Sequence, residues 1–184
     1  MNYSLKVNIS IIATLAVLFG TAMTSTNSVW AANIDCPNVP NTNNCNGTNG
    51  DDRMAGTANE DNMNGLAGDD RMFGFARNDF MDGGPDDDTM SGGSGNDFMI
   101  GRNGDDNING ESGDDLIIGD TGADTLKGSS GNDRILEGTA QFPFINPDGS
   151  KDTIDCGSGT NDEAFINVGT DHDTAINCET VHTE

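Results

Sequence analysis

Residues 47–136 read GTNGDDRMA GTANEDNMN GLAGDDRMF GFARNDFMD GGPDDDTMS GGSGNDFMI GRNGDDNIN GESGDDLII GDTGADTLK GSSGNDRIL, ten blocks of nine without gap or insertion. Three columns hardly vary. Place one is always Gly, and place six is always Asp: Asp52, Asp61, Asp70, Asp79, Asp88, Asp97, Asp106, Asp115, Asp124 and Asp133. Place eight is always aliphatic: Met54, Met63, Met72, Met81, Met90, Met99, Ile108, Ile117, Leu126 and Ile135. Place four is Gly in seven blocks, with Asn59, Arg77 and Asp86 as the exceptions. A fixed period this short predicts a solenoid, one supersecondary unit copied along an axis.

Gly at places one and four admits positive φ, so the first half of each block reads as a tight turn. The second half, Asp-x-aliphatic, has room only for a very short strand whose single apolar side chain points inward. One apolar residue per block is a thin core, and Met, which fills place eight in the first six blocks, specifies packing weakly. Burial of this column alone does not offset the conformational entropy of ordering ninety residues.

Charge deepens the deficit. The ten blocks hold 20 acidic and 6 basic residues within a chain of net charge −23. The missing stabilisation must therefore be cationic, and the Asp column marks its place. Ca²⁺ accepts six to eight oxygens from carboxylates and carbonyls in an adaptable shell, whereas Mg²⁺ demands strict octahedral geometry. Zn²⁺ favours His or Cys, which the blocks lack.

These blocks resemble the RTX, or hemolysin-type, calcium-binding nonapeptide repeat, G-G-x-G-x-D-x-U-x. The resemblance implies an all-β fold, a right-handed parallel β-roll (β-solenoid) of about five two-block coils. It also implies Ca²⁺ held between turns stacked on one side, a block and the block 18 residues on. One side would then carry Asp52, Asp70, Asp88, Asp106 and Asp124, and the other Asp61, Asp79, Asp97, Asp115 and Asp133. Gaps between neighbours in the two columns allow up to about eight ions, enough to neutralise the array. Asn59 and Arg77, which replace Gly at place four, fall in the first two turns of one side. The amino-terminal gap between Asp61 and Asp79 is therefore the expected weak or empty site.

Residues 1–31 read as a secretory signal: Lys6 supplies the positive start, Ile9 to Phe19 the apolar run, and Val29-Trp30-Ala31 a cleavage motif. No membrane span remains once it is cleaved, and the expected localisation is secreted or at the cell surface. The acidic balance excludes nucleic acid as a direct partner. Residues 32–46 hold Cys36 and Cys45. In an exported chain the four cysteines favour two local disulfides, Cys36 to Cys45 and Cys156 to Cys178.

After residue 136 the period breaks. Residues 137–184 read as degenerate coils forming an irregular, disulfide-stapled cap, with Phe142, Phe144 and Ile145 in a loop folded over the open end. Asp-x-apolar returns at Asp152/Ile154, Asp162/Ala164 and Asp173/Ala175, and Asp162 ends a turn close enough to the pattern to bind a further ion. His172 and His182 read as surface residues without a nucleophile beside them. The chain is expected to be no enzyme, since 15 residues between leader and array and 48 after it leave no catalytic domain. The reading is a secreted calcium-binding protein that folds on extracellular calcium, a structural, surface, matrix or adhesion component. An auxiliary module of a separate exported enzyme is the alternative.

Overall fold

The computed structural model describes residues 33–36, 44–138, 150–166 and 172–183, and within them every regular element is a strand. In chain order these are β1 (Asn33–Asp35), β2 (Asn44–Asn46), β3 (Arg53–Ala55), β4 (Asn62–Asn64), β5 (Arg71–Ala76), β6 (Phe80–Pro85), β7 (Thr89–Ser94) and β8 (Phe98–Asn103). They continue with β9 (Asn107–Ser112), β10 (Leu116–Thr121), β11 (Thr125–Ser130), β12 (Arg134–Leu136), β13 (Thr153–Ser158), β14 (Glu163–Ile166), β15 (Thr174–Ile176) and β16 (Thr180–Thr183). Odd strands form one eight-stranded parallel sheet and even strands the other, so the chain alternates between sheets at every turn.

The register follows from the nine-residue period. Two blocks make one coil, and within the array each residue pairs with its counterpart 18 positions later: Met54 with Met72, Met72 with Met90, and so on to Ile108 with Leu126. Place eight is inward in every block, and its ten residues are at most 1% exposed. The two sheets thus share one line of core side chains between them.

Three features depart from the sequence reading. Strands in the middle of the array are six residues long, not three. In β7 they run Thr-Met-Ser-Gly-Gly-Ser, continuing through place one of the next block into its place three. Only the first two blocks and the last keep three-residue strands.

The roll also extends past the array. The five coils from β3 to β12 are preceded by β1 and β2, where Ile34 pairs with Met54 and Cys45 with Met63. They are followed by β13 to β16. The carboxy-terminal residues are the expected further coils, held in register with the array, with Ile154 and Ala164 fully buried and paired with Leu126 and Ile135. Both disulfides join as expected, Cys36 to Cys45 and Cys156 to Cys178, each with Cα atoms 5.1 Å apart. The leader and the aromatic loop at Phe142 and Phe144 lie outside the described residues.

The third departure concerns the outer faces, which differ. On the odd sheet they carry ladders such as Thr89, Asn107, Thr125 and Thr153. On the even sheet Phe80 packs edge-on to Phe98 with ring centroids 5.3 Å apart, and Leu116 follows in the same ladder. Beside them Ile100, Ile118 and Leu136 stack in register, outside the core cluster.

Candidate metal sites along the two turn edges

The roll brings the ten predicted aspartates into the two expected columns, one along each turn edge. All ten are between 1% and 3% exposed. Each carboxylate reaches back one coil. The Asp52 N–H donates to Asp70 Oδ1 at 2.8 Å, Asp70 N–H to Asp88 Oδ1 at 2.8 Å, and Asp88 N–H to Asp106 Oδ1 at 2.8 Å. The other edge repeats the pattern from Asp61 through Asp79 and Asp97 to Asp115 and Asp133. The amide ladder fixes Oδ1 and aims the second oxygen into the turn.

That second oxygen decides the chemistry. Oδ2 of Asp70, Asp79, Asp88, Asp97, Asp106, Asp115 and Asp133 is buried and accepts no hydrogen bond. A buried carboxylate oxygen left this way carries a desolvation penalty of a few kcal/mol. Burial accordingly pushes the carboxyls of Asp70, Asp97 and Asp133 up to about 6. It pushes Asp79, Asp106 and Asp115 to about 7, and Asp88 to about 8. The amide hydrogen bond from the preceding coil opposes the rise at each without cancelling it.

Place-one glycine is required here for a reason other than turn flexibility. Its φ is not left-handed. Instead, a Cβ on Gly83 would collide with Asp88 Oδ2 and lie 3.0 Å from the Gly101 carbonyl oxygen one coil on. Carboxylate and carbonyl oxygen thus converge on a space kept open by a missing side chain. Donors of this kind, all oxygen, suit a hard cation held in a shell of bent backbone.

Positive φ is found at place four as expected, from 104° at Gly68 to 140° at Gly104 and Gly131, and also at place two, a column the sequence left unconstrained. Leu66, Phe75, Arg102, Glu111, Asp120 and Ser129 all have φ between 75° and 93°, as do Gly84 and Gly93 with larger positive values. At place four Arg77 and Asp86 are also left-handed, at 72° and 84°. The first two blocks differ. Thr48 and Thr57 at place two are not left-handed, and their N–H groups donate to Asp52 Oδ2 and Asp61 Oδ2, both at 2.5 Å.

Sequence reasoning also missed a second ladder at place five. Asp105 N–H donates to Asp87 Oδ1 at 2.8 Å, and Ala123 N–H to Asp105 Oδ1 at 2.9 Å. On the opposite edge Asn96 N–H donates to Asn78 Oδ1 at 2.9 Å, and Asp114 N–H to Asn96 Oδ1 at 3.0 Å. These side chains reach forward one coil where the place-six aspartates reach back. The signal was present in the sequence, since nine of ten blocks carry Asp, Asn or Glu at place five. Asp51, Asp69 and Asp87 with the buried column line a groove along the odd edge.

Residues 46–74, 76–99 and 100–135 match the family model described as RTX calcium-binding nonapeptide repeat. The array belongs to the RTX family. No curated protein matches the chain. The orphaned Oδ2 atoms and the oxygen-only donor set agree with the metal that the RTX repeats bind, and the chain is a calcium-binding repeat protein. His172 and His182 are exposed, the latter stacked on Phe165 with centroids 4.3 Å apart. Among the described residues no helix is long and apolar enough to cross a membrane.

Proposed function

We propose that this chain is an exported, non-enzymatic rod that folds when it meets extracellular calcium and serves as a surface, matrix or adhesion component. The row of buried Oδ2 atoms carries the reading, because a roll with these oxygens ionised and uncompensated opposes its own closure. Calcium supplies the compensating charge at each turn. Asp70, Asp79, Asp88, Asp97, Asp106, Asp115, Asp124 and Asp133 would hold it with neighbouring carbonyls, and the two columns accommodate up to about eight ions. Millimolar calcium outside the cell suits modules with dissociation constants of about 10⁻⁴ to 10⁻³ M. Low calcium inside leaves a strongly acidic chain extended, a state compatible with export. Two disulfides and the leader-like residues 1–31 support an oxidising destination.

Circular dichroism of the purified chain, with and without calcium, tests the coupling. At pH 8.5 the strand signal is expected to develop only as calcium is added, and a full strand signal in excess chelator at that pH would overturn the reading.

One observation favours a second role. The half-buried apolar outer ladder of the even sheet, Phe80, Phe98 and Leu116, supports an auxiliary module docked on a separate exported enzyme. Recovery of one stoichiometric catalytic partner with the chain from culture supernatant would select this role over the first.

A further inference from the structure

The geometry points to two more cation sites in the carboxy-terminal coils, outside the residues that match the repeat family and with different ligand sets. The inference rests on the reading of the roll as calcium-binding.

After the tenth block, place one falls on Glu137. In every preceding block that place is glycine, because a side chain there meets the aspartate five residues later. Beyond Glu137 the turn is interrupted, and the aspartate that takes the corresponding position is Asp152. It accepts from the Asp124 N–H at 2.7 Å, as the place-six ladder requires. The ladder then continues, Asp152 N–H donating to Asp173 Oδ1 at 2.9 Å.

At Glu137 a carboxylate stands at the place that glycine keeps open elsewhere. Glu137 is 4% exposed and Asp152 3%. One carboxylate oxygen each from Glu137, Asp152 and Asp173 lie within 4.8 Å of one another. Oδ2 of Asp173 is buried and accepts no hydrogen bond. Three carboxylates gathered this closely repel one another unless a cation lies among them.

The other edge ends in a matching way. Asp162 is fully buried, with Oδ1 accepting the Asp133 N–H at 2.7 Å and Oδ2 buried without a hydrogen-bond partner. The next coil supplies Glu179, whose Oε2 accepts the Asp162 N–H at 2.8 Å, where the array would place an aspartate. Gly159 leaves the approach open, since a Cβ there would lie 2.7 Å from Asp162 Oδ2.

The Glu137 site differs from those of the array in charge and in rigidity. Affinity for Ca²⁺ rises with the number of carboxylates in the shell. The Cys156–Cys178 disulfide joins β13 to the residue two places beyond β15, the two coils that present Asp152 and Asp173. A covalently tied site loses less freedom on binding. The Glu137 site therefore takes calcium before the array, and folding spreads from that end.

Calorimetric counting of calcium on the full, disulfide-intact chain tests this, using E137Q, D162N and the array variant D88N. E137Q and D162N are each expected to lower the count by about one ion, and E137Q to remove the tightest binding phase. The strand signal at saturating calcium should persist. E137G restores the residue that the array uses at place one and serves as a second probe if E137Q does not fold. A wild-type count and first phase in E137Q and E137G would overturn the Glu137 site, and a wild-type count in D162N the Asp162 site. Loss of all calcium binding by the wild type, or no effect of D88N, would instead strike the reading of the array.

Discussion

The Thr57 N–H donates to Asp61 Oδ2 at 2.5 Å, so the oxygen that faces an open site in later blocks is here satisfied within its own turn. Thr48 and Asp52 repeat the arrangement. Wherever place two is left-handed, from Leu66 onward, no such bond forms to Asp70, Asp79, Asp88, Asp97, Asp106, Asp115 or Asp133. The amino-terminal turns are therefore the poorest calcium sites on both edges. D61N is expected to shift the calcium midpoint less than about twofold, and D97N about tenfold or more, since each tenfold corresponds to about 1.4 kcal/mol. Residue-resolved NMR titration checks the order of filling, and early saturation around Asp61 would contradict it.

Acidity acts in opposite directions with and without calcium. The buried carboxyls titrate near 6 to 8 when folded, against an ordinary value of 3.8. The folded chain without metal therefore holds more protons than the unfolded one, so its stability is greatest in acid and is lost as pH rises through 6 to 8. Calcium needs the same groups deprotonated, so its affinity falls as pH drops through that window. Circular dichroism in EDTA should show more strand at pH 5 than at pH 8.5, and the calcium midpoint should move to higher concentration at pH 5. Strand content in EDTA that grows with pH would refute the assignment.

Glycine at place one is a steric requirement. G83A forces a methyl group against Asp88 Oδ2 and the Gly101 carbonyl. Destabilisation of about 1–3 kcal/mol is expected in saturating calcium, measured as the denaturant midpoint. T57S, which keeps the β-carbon and the hydroxyl that accepts the Asn59 N–H at 3.0 Å, should change the midpoint by no more than about 0.5 kcal/mol.

The place-five ladder is structural. D87A removes the acceptor for the Asp105 N–H, 2.8 Å away, and is expected to cost about 1 kcal/mol. D87N keeps an Oδ1 in place, as Asn78 and Asn96 do on the opposite edge, and should be close to neutral. Calcium stoichiometry should be unchanged in both. A lower ion count in D87N would make Asp87 a ligand.

Much of this was legible because a nine-residue period leaves few ways to stack. The inward place-eight column follows from spacing and alternation, the division of aspartates between two edges from the resemblance to the RTX repeat, and both disulfides from the locality of the two cysteine pairs in a chain read as exported. Other features depend on contacts between coils. Leu66 and Phe75 have no intrinsic preference for positive φ, so nothing in either residue announces the left-handed turn that the stacked backbone imposes. Asp-x-apolar at Asp152/Ile154 announced the returning coils, but not their exact pairing, because a shift of ten residues breaks a sequence period without breaking a ladder. Glu137 looked like the end of the pattern, and only its burial beside Asp152 and Asp173 gives it a role.

The two ladders on each edge run against one another, place six reaching back and place five reaching forward, so neighbouring coils grip each other from both directions. Whole coils are therefore interchangeable parts. Excising 18 residues, such as 83–100, would bring like against like and leave every acceptor opposite a donor. Excising nine would send each later block to the wrong edge, setting the polar outer ladder where Phe98 and Leu116 stood and placing Asn beside Asp at place five. In this architecture length is free to change in even steps, and parity is what selection must guard.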